Sequence, residues 1–196
     1  MSPWDSVRYW DGRYRAGRSS GHGSEGQTAI AKASYVNRVV EREDIVSIID
    51  WGVGDGTVLS HITDEVDYTG VDISPTILTR LRRRFGFRGE FLLADIAALR
   101  HLSADMALSM DVMFHLVNDE DYERYLARLF GSATRFVLVY STNFDDKGRS
   151  ARHVRHRNWV TDVRARFPQW ALDEVGPWAG RLKDKAFYLY RQSSAS

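Results

Sequence analysis

An apolar run, Val46 to Ile49, meets an acidic residue and then three glycines at alternate positions. It reads Ile48-Ile49-Asp50-Trp51-Gly52-Val53-Gly54-Asp55-Gly56-Thr57, and no other stretch limits the fold as tightly. A buried strand that breaks into a glycine-rich turn lets bare backbone approach a ligand. A helix that starts after such a turn aims its first N–H groups at that ligand. The expectation is a helix starting at Thr57 and running to Thr63, with a nucleoside-containing cofactor at the end of the first strand.

The spacing narrows the cofactor. The dinucleotide fingerprint G-x-G-x-x-G fits Gly52 and Gly54, but Thr57 stands where its third glycine belongs. A phosphate loop is excluded because no lysine follows the glycines.

The rest of the chain alternates helices and strands. Helical periodicity covers Thr28 to Glu43, Ser74-Pro75 opens a helix that runs to about Phe85, and Asn118 to Leu129 and Thr161 to Phe167 form two more. Strands are expected at Val46–Ile49, Tyr68–Ile73, Phe91–Ala94, Met106–Met110, Phe136–Tyr140, Ala171–Val175 and Ala186–Tyr190. Apolar strands between helices imply a parallel sheet covered on both faces, with ligands beyond its carboxyl edge. Four of the first five strands end near a carboxylate: Asp50, Asp72, Asp95 and Asp111.

With 196 residues the chain suits one domain, read as a lid and helix (1–44), a cofactor-binding core (45–141), and a substrate loop with terminal strands (142–196). A net charge of +1 offers no general field for nucleic acid or anionic membrane. No apolar run approaches a membrane span, and the first residues do not resemble a secretory signal, so a cytoplasmic location is expected. The absence of cysteine excludes disulfides, Cys-held zinc or iron–sulfur clusters and a thiol nucleophile.

Asp50, Gly52, Gly54 and Gly56 resemble the first motif of class I S-adenosylmethionine (SAM)-dependent methyltransferases, Asp/Glu-x-Gly-x-Gly-x-Gly. The resemblance extends to Asp72, 20 residues after Gly52 and placed for the ribose hydroxyls. It includes Asp95, placed for the adenine amino group, and the segment from Ala104 to Leu116. It implies a Rossmann-like α/β fold: a seven-stranded, mostly parallel sheet with helices on both faces and a C-terminal antiparallel hairpin. It also implies SAM as cofactor and S-adenosylhomocysteine as product. Ile73 and Ile96 would sandwich the purine, and Met110 is a further expected cofactor contact.

Three groups remain for the rest of the site. Tyr9, Trp10, Arg13 and Tyr14 stand before a glycine-hinged stretch holding Arg18 and His22. Aromatics beside such a hinge suit a lid that excludes water, with Arg13 or Tyr14 toward the SAM carboxylate and Arg18 and His22 toward the substrate. His115, just past strand four, is the candidate base, accompanied by Asp111 and Tyr140 at strand ends. His153, Arg155, His156 and Arg157 form a basic segment suited to an anionic or sugar-like acceptor.

The expected activity is methyl transfer to an O or N atom of a small metabolite. No resident metal is expected, and oligomeric state stays open. Rivals are RNA or nucleotide methylation, a non-catalytic SAM-binding module, a nicotinamide oxidoreductase, and a metal-assisted methyltransferase using Asp111, Asn143 and Asp145.

Overall fold

The computed structural model describes residues 4–94, 99, 101–146, 150–177 and 184–193. Its core is a seven-stranded sheet in the order β3-β2-β1-β4-β5-β7-β6. The strands are β1 (Ser47–Trp51), β2 (Asp67–Asp72), β3 (Gly89–Leu93), β4 (Ala104–Met110), β5 (Ala133–Thr142), β6 (Trp170–Gly176) and β7 (Lys185–Gln192). Pairing is parallel from β3 to β5, and β7 runs antiparallel to both β5 and β6. The expected architecture is the observed one.

Alternation along the strands sends side chains to two separate cores. Ile48, Met106, Leu108, Phe136 and Leu138 pack under α2 (Gly26–Glu43) and α3 (Pro75–Phe85). Ile49, Ala107, Val137 and Val139 pack under α4 (Asp119–Gly131) and α5 (Trp159–Arg166). Pro75 opens α3 and the Ser74 hydroxyl accepts from the Ile77 N–H at 3.2 Å, so the N-cap expected from sequence is present.

One local expectation gains detail and another is corrected. The stretch read as a lid holds a ten-residue helix, α1 (Ser6–Arg15), N-capped by Asp5. The helix expected from Thr57 is reduced to a single 3-10 turn, Leu59–His61. Asn37 on α2 explains why it stops. Its side-chain amide donates to the His61 carbonyl at 2.9 Å and its oxygen accepts from the Thr63 N–H at 3.0 Å. These bonds take the backbone groups that another helical turn would need.

Gly56 fixes how this turn packs. It has φ +75°, and a Cβ there would lie 2.7 Å from both Leu81 and Phe85 of α3. Gly56→Ala should therefore cost roughly 2–4 kcal/mol through backbone strain and overpacking. Thermal melting should show a fall of roughly 5–15 °C. Gly131→Ala, where a Cβ meets nothing within 4 Å, should leave the melting temperature within a few degrees of the parent. Equal effects from the two substitutions would refute the packing account.

Candidate active site

The carboxyl edge of β1, β2 and β4 borders a cavity of about 920 Å³. Gly52 and Gly54 line it, at φ +87° and +61°. A Cβ on Gly52 would collide with Val112, and one on Gly54 would lie 2.5 Å from Ser20 Oγ. Backbone approaches this closely only without side chains. Gly56 does not line the cavity. Its expected role at the cofactor is corrected to packing against α3.

Two carboxylates stand behind this turn. Asp72 Oδ2 accepts from the Gly54 N–H at 3.0 Å and Oδ1 from the Ser74 N–H at 2.9 Å. Asp50 Oδ2 accepts from the Tyr68 hydroxyl at 2.6 Å, while its Oδ1 is buried with no hydrogen-bond partner. Burial pushes both carboxyls up to about 6. Ile73 and Met110 also line the cavity. Asp95 and Ile96, expected at the adenine, lie outside the described residues.

The N-terminal segment closes over the site by specific bonds. Asp11 on α1 accepts from the Ser74 hydroxyl at 2.7 Å and the Thr76 N–H at 3.1 Å. Ser20 and Asp55 bond reciprocally: the Ser20 N–H donates to Asp55 Oδ2 at 2.7 Å, and the Asp55 N–H to Ser20 Oγ at 2.9 Å. Tyr9, Trp10, Arg13 and Tyr14 all line the cavity. Arg13 Nε donates to the Ser19 carbonyl at 2.6 Å, which holds its guanidinium at the base of the loop.

His115 ends a 3-10 turn after β4 and lines the same cavity. Its Nδ1 lies 3.0 Å from the His153 carbonyl. A carbonyl only accepts, so Nδ1 carries the proton and Nε2 keeps a lone pair. Burial holds its pKa down to about 4, so the ring is neutral at pH 7. The rings of Trp10 (4.9 Å, edge-on) and His153 (5.6 Å, stacked) flank it, and Tyr9 stacks on His153 at 5.0 Å.

The basic segment divides. His153 lines the cavity, but Arg155, His156 and Arg157 do not. Arg155 and Arg157 pair with Asp119 at 2.9 and 3.0 Å and both donate to the Val117 carbonyl. His156 Nδ1 hydrogen-bonds Thr142 Oγ1 at 2.7 Å. Arg155 and Arg157 fasten the loop after β5 to the start of α4, and His156 ties it back to the end of β5, which corrects their expected grip on the acceptor. Arg18 is exposed outside the cavity, whereas His22 lies at its rim beside Glu25. Tyr140, expected among the catalytic groups, is packed against Phe187 in the core and does not line the cavity.

Asp111 does reach the cavity, at φ +64°, in company that sequence reasoning missed. Lys32 Nζ donates to its Oδ2 at 2.5 Å, and Lys185 Nζ donates to its Oδ1 at 2.6 Å. Lys32 is wholly buried. One signal existed: Lys32 falls on the apolar stripe of α2, among Ala29, Ala33 and Val36. Nothing local marks Lys185. The metal-assisted rival loses its ligands here. Two ammonium groups occupy Asp111, Asn143 Oδ1 accepts from the Val160 N–H, and Asp145 Oδ1 accepts from the Asn158 N–H.

Residues 48–133 match a methyltransferase domain family. No curated protein matches the sequence. Among solved structures, the fold is similar to that of the N-methyltransferase NodS from Bradyrhizobium japonicum WM9 in complex with S-adenosylhomocysteine. The identity is 12% and the TM-score 0.73, over 96% of this chain and 99% of that chain. Magnesium protoporphyrin IX methyltransferase (ChlM) from Synechocystis PCC 6803 with bound SAM gives 16% and 0.71, over 98% and 100%. The CcbJ methyltransferase from Streptomyces caelestis gives 15% and 0.71, over 97% and 100%. At such identities the structural likeness speaks for the fold, and the family match supplies the chemistry. Residues 48–133 thus carry a methyltransferase domain on the class I fold, with SAM as the methyl donor.

Proposed function

We propose that this enzyme methylates an O or N atom of a small metabolite held between the N-terminal helix and the carboxyl edge of the sheet. The observation that carries this reading is His115, a neutral imidazole with a fixed tautomer in the wall of the cavity. Two proteins of similar structure agree in kind: one is an N-methyltransferase and another a mitomycin 7-O-methyltransferase.

The residues present fit SAM. The unpartnered Asp50 Oδ1 needs a donor, which the cofactor's ammonium would supply. Asp72 would accept from the ribose hydroxyls, and Gly52 and Gly54 allow close backbone approach. Tyr9, Trp10, Arg13 and Tyr14 close the site from above, with Ile73 and Met110 as apolar contacts. Bound SAM supplies an electrophilic methyl group. The chain's own task is to align the acceptor, exclude water and receive a proton. His115 Nε2 takes that proton from the acceptor oxygen or nitrogen. For a hydroxyl acceptor a weakly basic imidazole suffices, because the oxygen becomes strongly acidic as its bond to carbon forms; a neutral amine attacks through its lone pair and needs no base in that step.

The structure weakens the nucleic-acid alternative. Arg155 and Arg157 share Asp119, and Arg166 on α5 pairs with Glu123, so part of the positive charge in this region is already compensated. Among the described residues, no helix is long and apolar enough to cross a membrane.

Saturating S-adenosylhomocysteine, at ~100 times its dissociation constant, should add about 2.7 kcal/mol and raise the melting temperature by several degrees. NADH should not. A shift with NADH alone would overturn the reading of the glycine turn. His115→Ala should retain that shift yet lose roughly 100-fold or more in kcat. Wild-type turnover in this variant would remove His115 from the mechanism.

A pH dependence follows from Asp50 and Asp72. Their ionised forms accept donors from the cofactor, so binding lowers pKa values that stand near 6 in the free protein. Affinity is therefore complete above pH 6 and lost as pH falls through it. Calorimetry should find S-adenosylhomocysteine bound roughly 10- to 100-fold more weakly at pH 5 than at pH 7. Asp50→Asn should flatten part of that slope.

A further inference from the structure

Asp111 holds two ammonium groups, and one carboxylate cannot neutralise both. Lys32 is closed to a ligand: it is wholly buried, donates to Asp111 Oδ2 and to the Gly23 carbonyl at 2.6 Å, and lies 4.9 Å from the centre of the Tyr140 ring. The next carboxylate acting on it is Asp50, which already accepts from Tyr68 and, on the reading above, faces the cofactor's ammonium. Lys185 is different. It lines the cavity, and among the described residues its ammonium makes one hydrogen bond, to Asp111 Oδ1. An ammonium has three N–H donors. The cluster therefore carries one surplus positive charge at the cavity wall and keeps spare donors on the one lysine that faces it.

The packing shows that this arrangement is built rather than incidental. Asp111 is held in the left-handed region, where a non-glycine residue persists only if its surroundings enforce it. Four separate parts of the chain enforce it: Lys32 from α2, Lys185 from β7, the end of β4, and Gly23 from the N-terminal loop. Gly23 sits so close that a Cβ there would lie 2.6 Å from Asp111 Oδ2 and 3.7 Å from Lys185 Nζ. Flat rings lie alongside. Lys185 Nζ stands 4.5 Å from the centre of the Phe114 ring, and that ring is 4.6 Å from His115, which Trp10 flanks.

We infer that Lys185, oriented by Asp111, binds the carboxylate of a small, flat acidic acceptor lying against Phe114, His115 and Trp10, and so selects acids over their neutral counterparts. This deepens the methyl-transfer reading and rests on it only for placing the acceptor near His115. It assigns acid recognition to a residue 28 positions beyond Arg157, in place of the basic segment that sequence pointed to.

The test uses the full chain saturated with S-adenosylhomocysteine and follows tryptophan fluorescence, since Trp4 and Trp10 line the cavity. The probes are 4-hydroxybenzoate and its uncharged amide, 4-hydroxybenzamide. The expected result is at least tenfold tighter binding of the acid, weakening as salt rises. Lys185→Met leaves Lys32 and Asp111 as a neutral pair, so the fold should tolerate it; it should erase the preference, and Lys185→Arg should restore most of it. Equal binding of acid and amide, binding of neither, or a preference that survives in Lys185→Met overturns the inference. Should Lys185→Met fail to fold, the acid–amide comparison and its salt dependence in the parent protein decide alone. S-adenosylhomocysteine stabilisation, read in the same samples, separates the two failures: without it the methyltransferase reading falls, and with it but no acid preference only the role of Lys185 falls.

Discussion

A lysine ammonium in a protein interior is tolerated only when its charge is met at hydrogen-bond distance, and Lys32 meets that condition through Asp111. Removing one partner of such a pair typically costs about 3–5 kcal/mol, because the other charge is left buried and alone. Here the pair does more than offset burial. It joins α2 to the end of β4, takes in the backbone of the N-terminal loop at Gly23, and shares its carboxylate with Lys185 on β7. The loop that closes the cavity is thus tied to the sheet by the same atoms that set the charge of the cavity wall.

A second layer of bonds keeps that closure in register. Asp11 ties α1 to the start of α3, and Ser20 ties the following loop to the glycine turn through Asp55. Each bond joins an N-terminal group to a residue that also shapes the cofactor side. Ser74 caps α3, donates to Asp11 and offers its N–H to Asp72. Asp72 is relieved of capping and remains available to a ligand. Closure of the lid and shaping of the cofactor pocket are therefore one network, which suits a reaction that gains from excluding water.

Much of this was legible in the chain. Strand positions, the cap at Ser74 and the approach of Gly52 and Gly54 rest on interactions within a few residues, which pattern and turn chemistry report directly. The misreadings share one cause. Gly56 obeys the same motif as its neighbours but faces α3, because the direction of a turn residue depends on what packs beneath it. The helix after the turn stops early because Asn37, about 20 residues upstream, takes its backbone groups. Arg155 and Arg157 look like an anion site in sequence, yet Asp119, on a different element, claims both.

By itself the sequence determined the sheet, its C-terminal antiparallel hairpin by family resemblance, and the edge where a cofactor is expected, since alternating apolar strands, a glycine turn and terminal carboxylates leave few other solutions. Only the tertiary structure decided which charged groups meet at the cavity wall. Lys32 and Lys185 stand 79 and 74 residues from Asp111. Their meeting depends on how a helix, a loop and an antiparallel strand pack at one corner of the sheet. Pairing over such separations leaves no periodicity or local spacing in the chain, because it is set by packing and charge in three dimensions.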